Sequence, residues 1–588
     1  MCGFIASFSS LNPHFSSFRA SLDRLATRGP DAEGFWQEPG VFLGHRRLSI
    51  LDLSQRANQP MVSRTNRFII VFNGEIYNYR SLRSDLVKLG HKFRTDTDTE
   101  VLIELYSRYK SSMLNSLEGM FSFVIWDTFE QYAFAARDPY GIKPLYLGTS
   151  SHSCILCSQV KPIILSGLVD ASRDPIAHAS FLLFGSIFEP HTTYRQVQSI
   201  PAGHYIYIRN SIPESPIPFF DFPSIWSSPN PASSLSKSQV QLHTSALLKD
   251  SIHRHLVSDV PVGLFLSAGL DSATLAGLCR EATQDPLHAI TIKFKSQSTS
   301  HFDETEGASL VSRIYSLDHY IREIHQSEFL TDLPLIIDSM DQPSIDGVNT
   351  WYASKAASEI GLKVALSGIG GDELFWGYST FSTVPALLSL YNLLSSVDPS
   401  NSIVSSLFNL ISVLTGNPRW AYAPNWLNHG IAGSWCLARS ISVPNRLPCD
   451  LVEQLLDYPY ALSSSFWPLF DTPDIPLNSK YAVAYLESSR YLRNQLLRDT
   501  DWSSMHHSVE VRTPLVDSTL LCNLSPFFDM FSQFPRKCLL TDSLKKPLPR
   551  SILSRKKTGF GIPINKWMKE SNSGFCTWPS FVSSHFFS

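Results

Sequence analysis

The chain has 588 residues, 43% hydrophobic and 17% charged, so it exceeds one compact core and has the make-up of a folded protein rather than a disordered one. A net charge of -3 supplies no field for a polyanion, which argues against nucleic acid as a partner. No run approaches the ~20 continuous apolar residues that span a bilayer, and no Lys or Arg precedes Arg19 as a signal peptide would require; a cytoplasmic protein without membrane contact is expected.

In chain order, short β-rich runs come first, at 68–72, 121–126, 132–136 and 204–208, with turn residues between them. They predict an α+β domain of antiparallel sheets over residues 1–210. Nine cysteines, an odd number without framework spacing, fit reduced thiols. Cys154 and Cys157 lie in an apolar run that reads as a buried strand rather than a redox or metal pair. Residues 211–236 are loaded with Pro and Ser, where no regular element is expected, and are taken as the linker. From 237 to 588 strands at 262–266, 288–294 and 363–366 alternate with helical segments such as 272–282, predicting an α/β domain with a parallel sheet and helical additions.

Cys2 is followed by Gly3. Removal of Met1 would leave one residue with a thiol and an α-amine, and such an amine titrates close enough to neutrality to be its own side chain's general base. A cysteine at the second position is by itself usually incidental. The segments Thr27-Arg28-Gly29-Pro30-Asp31, Gly44-His45-Arg46-Arg47, Phe72-Asn73-Gly74-Glu75, Asp96-Thr97-Asp98-Thr99-Glu100 and Arg137-Asp138-Pro139-Tyr140-Gly141 follow it in order. Together they resemble the N-terminal-nucleophile glutaminase domain of class II amidotransferases. The resemblance implies that Cys2 is the nucleophile and that the Asn73 amide and Gly74 N–H stabilise an oxyanion. It also implies that Arg47 grips the α-carboxylate of glutamine while Glu75 and Asp98 pair with its α-ammonium. Read alone, Asn73-Gly74 is a hairpin turn, and Arg47 and Asp98 are surface charges.

Residues 259–272 form an apolar strand, a small-residue turn and a helix start, an arrangement that points backbone N–H groups at phosphate. The turn Ser267-Ala268-Gly269-Leu270-Asp271-Ser272 resembles the Ser-Gly-Gly-x-Asp-Ser loop of ATP pyrophosphatases, with Ala268 in place of the first glycine, which is compatible only if its φ stays negative. Segments around Asp341, 365–378, Asp501, 510–517 and 557–563 extend the match and resemble the asparagine synthetase domain. That resemblance implies that Leu266 and Ile292 flank adenine and that Ser367 and Gly368 contact the nucleotide. It further implies that Ser267, Gly269, Asp271 and Ser272 hold pyrophosphate, that Asp271 and Asp372 engage Mg2+ brought by ATP, and that Lys557 neutralises the α-phosphate. The bland reading of Asp372-Glu373 is a pair at a helix N-terminus.

The expected reaction is glutamine-dependent asparagine synthesis through a β-aspartyl-AMP intermediate, with ammonia channelled between sites, ATP and Mg2+ as cofactors and no structural metal. The partners implied are glutamine, aspartate or another carboxylate, and ATP; a homodimer is compatible. Ile369 stands where asparagine synthetases commonly carry an acidic residue, which keeps open an alternative acceptor, a sugar acid or peptide-like carboxylate. A catalytically silent homologue is the third reading. Thr27 and Gln159 are smaller departures, His506-His507 read as helix residues near the interdomain surface, and the tail from Lys569 shows no pattern.

Overall fold

The computed structural model describes residues 2–10, 16–227, 235–295, 304–397, 402–456, 480–555, 563–570 and 577–587. The N-terminal runs pair into two antiparallel sheets. One orders Val197–Ser199, Tyr146–Thr149, Ser153–Cys157, Gly3–Ser9, Val41–Arg47 and Ala32–Glu38; the other orders Ile212–Pro213, His204–Arg209, Tyr132–Arg137, Gly119–Asp127, Phe68–Ile76 and Met61–Val62. Both faces of the central strands are apolar, so each sheet must be covered twice. Phe4, Ala6 and Phe8 pack against Ile69, Val71 and Val124 between the sheets. Ile5 meets Phe18, Leu22 and Ile163 of the outer helices, and Phe68, Ile70 and Phe72 meet Val101, Leu102 and Leu105 of helix Asp98–Tyr109. The result is a helix, sheet, sheet, helix sandwich with the strand after Cys2 at its centre. Cys154 and Cys157 are both buried in Ser153–Cys157 but belong to cores on opposite faces of it, so they share neither a bridge nor a metal.

The C-terminal half carries the expected parallel sheet, ordered Asp318–Ile324, His288–Phe294, Val262–Phe265, Val364–Leu366 and Glu510–Arg512. Its strand order reverses direction between Val262–Phe265 and Val364–Leu366, the switch point at which α/β sheets open a crevice outside their strand ends. Two of the five strands carry no clear apolar signature: Asp318–Ile324 is a half-exposed edge, and Glu510–Arg512 is three residues long. Among the described residues no helix is long and apolar enough to cross a membrane.

The stretch expected to lack regular structure is a correction. Ile212–Pro213 and Ile217–Pro218 both pair with His204–Arg209, and Phe222–Ser227 forms a helix. The prolines sit where a missing N–H does no harm, on an edge strand or in a first helical turn. Trp226, 1% exposed, anchors the helix by stacking on Phe528 at 4.8 Å. Residues 228–234 lie outside the described residues. The tail also has a pattern after all: helix Trp578–Phe587 buries Trp578, Val582 and Phe586 against a core that includes Ala177 and Phe181.

Buried polar contacts join the two halves. Arg28 donates to both carboxylate oxygens of Asp501, at 2.7 and 3.0 Å, and its Nε to the Cys2 carbonyl at 3.1 Å. The Asp341 carboxylate accepts the backbone N–H groups of Val160 and Lys161, and Arg493 donates to the Tyr140 carbonyl. Replacing Arg28 with Ala leaves Asp501 buried and unpaired, at an expected cost of about 3–5 kcal/mol. A denaturant titration should show a lower midpoint, and an unchanged midpoint would remove the pair from the account.

Candidate active sites

Strand Phe68–Ile76 carries Asn73 at its buried end, opposite the chain start. The Cys2 backbone N–H donates to Asn73 Oδ1 at 3.1 Å, while Asn73 Nδ2 is buried with no hydrogen-bond partner among the described residues. An amide held by its oxygen with its nitrogen free is a fixed donor beside the thiol. Burial pushes the Cys2 thiol up. Gly74 is required by close approach: a Cβ there would stand 2.2 Å from the Met120 carbonyl oxygen. This is no hairpin turn, because Asn73 and Gly74 sit within a strand and pair with Ser122 and Phe121.

Arg47, 5% exposed, is not a surface charge. Its Nη1 donates to the Ser54 carbonyl and Asn58 Oδ1, and its Nη2 to the Leu51 and Asp52 carbonyls. All four Nη hydrogens are therefore engaged, and a bidentate grip on a carboxylate requires exchange of some of them. Asp98 opens helix Asp98–Tyr109 and accepts from Ile76 N–H at 3.0 Å; burial raises its carboxyl to about 6. Glu75 Oε1 has no hydrogen-bond partner among the described residues, whereas Oε2 pairs at 3.0 Å with Arg512 of the parallel sheet. The sequence offered no signal for that pairing across the chain.

At the switch point the turns after Val262–Phe265 and Val364–Leu366 border a cavity of about 640 Å³. Leu266, Ser267, Gly269, Asp271, Ser272, Ile292, Ser367, Gly368 and Asp372 all line it. Ser272 Oγ closes the turn on itself, lying 2.7 Å from Ser267 Oγ and 3.1 Å from the Ser267 carbonyl. Helix Leu270–Ala282 starts at Gly269 with no side-chain cap, which leaves its first N–H groups for an anion. Ala268 is absent from the positive-φ residues, and its methyl sits where a Cβ on Gly307 would come within 2.5 Å, so the methyl is accommodated. Gly371 lets the second turn close on the first, since a Cβ there would lie 2.5 Å from Asp271 Oδ1.

Lys537 was not legible in the sequence. Its ammonium lies 2.6 Å from Asp271 and 2.5 Å from Asp372, and these two carboxylates hold its pKa up against burial. Two carboxylates that already share one cation are a donor set suited to a divalent ion on ATP. The remaining wall mixes carboxylates with Arg536 and Arg555; burial raises Glu373 to about 8, with Asp372 adding to it, and raises Asp499 to about 7, with Asp346 adding to it. Ile369 also lines this wall. Lys557 lies outside the described residues. His506 and His507 follow helix Arg498–Met505 and pack on Trp351, and Ser508 donates to the Thr27 carbonyl across the interface.

A glutamine amidotransferase domain model matches residues 1–215, and an asparagine synthase model matches residues 243–576. A Bacillus subtilis protein named asparagine synthetase (glutamine-hydrolyzing) 1 is 30% identical, covering 97% of this chain and 88% of its own. A putative asparagine synthetase of Mycobacterium tuberculosis is 28% identical with the same coverage. A Penicillium rubens protein named amidase chyE is 26% identical, covering 93% of this chain and 84% of its own.

Replacing Lys537 with Met should weaken ATP binding about tenfold, the scale of losing one charge-assisted contact, as a calorimetric titration would read; unchanged affinity would place Lys537 outside the site. The folded Glu373 carboxyl titrates near 8 against 4.5 for the free side chain. Its contribution to stability is therefore complete below about pH 4.5 and fades as pH rises through about 8. In Glu373→Gln the thermal midpoint should fall less steeply across that window, and a profile parallel to the unmodified protein's would refute the assignment.

Proposed function

This chain belongs to the asparagine synthase family and carries an N-terminal glutamine amidotransferase domain, and on that premise we propose that it moves the amide nitrogen of glutamine onto a carboxylate activated by ATP. The observation that carries this reading is convergence: residues from Leu266 to Asp372 meet on one cavity, while Asn73 holds Cys2 in a separate site.

With Met1 removed, the Cys2 α-amine takes the thiol proton and the sulfur attacks the glutamine side-chain carbonyl. Asn73 Nδ2 and Gly74 N–H donate to the oxyanion, ammonia leaves, and water releases glutamate from the thioester. In the second site the turn from Ser267 to Ser272 holds the β- and γ-phosphates, and an acceptor carboxylate oxygen attacks the α-phosphorus as pyrophosphate departs. Magnesium held by Asp271 and Asp372 would spread the phosphate charge. Lys537 neutralises the same region, and Lys557 is assigned to the α-phosphate. Ammonia then attacks the acyl-adenylate and AMP leaves. A cavity of about 20 Å³ between the halves, lined by Arg137, Ser158, Arg498 and Asp501 among others, has room for about one small molecule; passage of ammonia from one site to the other inside the protein is part of the proposal.

Aspartate, converted to asparagine, is the acceptor suggested by the names of the relatives. Ile369 favours a second reading in which another carboxylate takes its place, because isoleucine neither accepts a proton nor pairs with ammonium. Glutamine, ATP, Mg2+ and aspartate supplied together should yield asparagine, AMP and pyrophosphate. Cys2→Ala should lose glutamine-driven product and retain ammonia-driven product; glutamine turnover by that variant would end the proposal.

A further inference from the structure

Next to the nucleotide cavity is a second cavity of about 210 Å³, and Tyr378, Arg536 and Lys537 border both. Half of its other lining residues are aromatic: Phe375, Trp376, Phe381, Phe531 and Phe534. Phe375 stacks on Phe531 at 5.8 Å and 7°, and Trp376 lies 5.6 Å from Phe531 and 6.0 Å from Phe381. Trp376 has φ 54°, a left-handed backbone that bulky residues rarely adopt. It is followed by Gly377, where a Cβ would strike Asp372 and Lys537, so the ring is positioned by the same residues that shape the phosphate site. Trp376 Nε1 has no hydrogen-bond partner among the described residues.

Two cations complete the lining. Lys480 Nζ stands 5.2 Å from the Trp376 ring centre, and Arg536 is exposed; neither pairs with a carboxylate among the described residues. Aromatic walls bordered by two cations that meet no carboxylate among the described residues complement a flat, anionic body. Free aspartate carries a second carboxylate but no planar ring, and would leave the aromatic walls unfilled.

We propose that this cavity is the distal half of the acceptor site and takes the body of a carboxylic acid bearing a planar aromatic group and a second anionic group. The reacting carboxylate reaches past Tyr378 toward the α-phosphate, while the second anion meets Lys480 and Arg536. The proposal rests on the amidotransferase reading and deepens its second form, in which the acceptor is not aspartate.

The full chain, with glutamine, ATP and Mg2+, is offered aspartate or benzene-1,2-, 1,3- or 1,4-dicarboxylate, and AMP release is measured. At least one arene diacid should exceed aspartate about tenfold in kcat/KM. Lys480→Glu should raise KM for that diacid about tenfold with a far smaller change in kcat, and Lys480→Arg should recover it. A preference for aspartate, a Lys480→Glu effect equal for both acids, or no AMP from any acid while glutamine is still hydrolysed overturns the subsite. Failure of the underlying reading looks different: the unmodified chain would not hydrolyse glutamine at all, and the subsite would fall with it.

Discussion

Arg512 is the constraint on which the two sites depend. It is 0% exposed, on the last strand of the parallel sheet, with Nε 2.6 Å from Glu510, Nη1 on the His255 and Val257 carbonyls, and Nη2 on Glu75. A guanidinium in the interior is tolerated only when its donors are met, so these partners cannot drift independently. Glu75 is two residues from Asn73, and Arg512 pairs in register with Leu366, one residue before Ser367. One buried cation therefore fixes the strand that holds Cys2 relative to the turn that borders the nucleotide cavity. Of its two carboxylates, Glu510 keeps the charge, drawn down to about 2 against burial by positive neighbours including Arg512 and Lys143. Burial pushes Glu75 well upward, with Arg512 opposing it.

The two sites solve charge in opposite ways. Around Cys2 the polar groups are fixed by backbone: Arg47 is spent largely on carbonyls, Asp98 on an N–H, and Asn73 on the Cys2 N–H. Around Asp271 and Asp372 the acids outnumber the cation between them, and burial pushes the nearby Glu373 and Asp499 carboxyls up toward their neutral forms. The first arrangement suits a neutral amide substrate, and the second suits a ligand that arrives with its own positive ion.

Much of this was legible because it is local. A turn of small residues between an apolar strand and a helix announces itself in a few positions, and so do Asn73-Gly74 and the Gly368 to Gly371 turn; the nucleotide residues named from those segments all reached one cavity. Lys537 was missed because it meets Asp271 from far along the chain with no spacing rule to mark it, and the same holds for Glu75 with Arg512. The strands Asp318–Ile324 and Glu510–Arg512 were missed because an edge and a three-residue strand carry too little apolar alternation. Proline content misled at 211–227, where edge pairing and a buried Trp226 override it.

The contact between Ala268 and Gly307 bears on how this loop can change over time. A Cβ on Gly307 would stand 2.5 Å from the Ala268 methyl and 2.9 Å from Arg555 Nη1, so alanine at the first position keeps glycine at the second, while glycine at the first opens the second once the Arg555 side chain also gives way. The two positions should drift as a linked pair, and their joint state offers a marker for sorting related chains into lineages without reference to what those chains make.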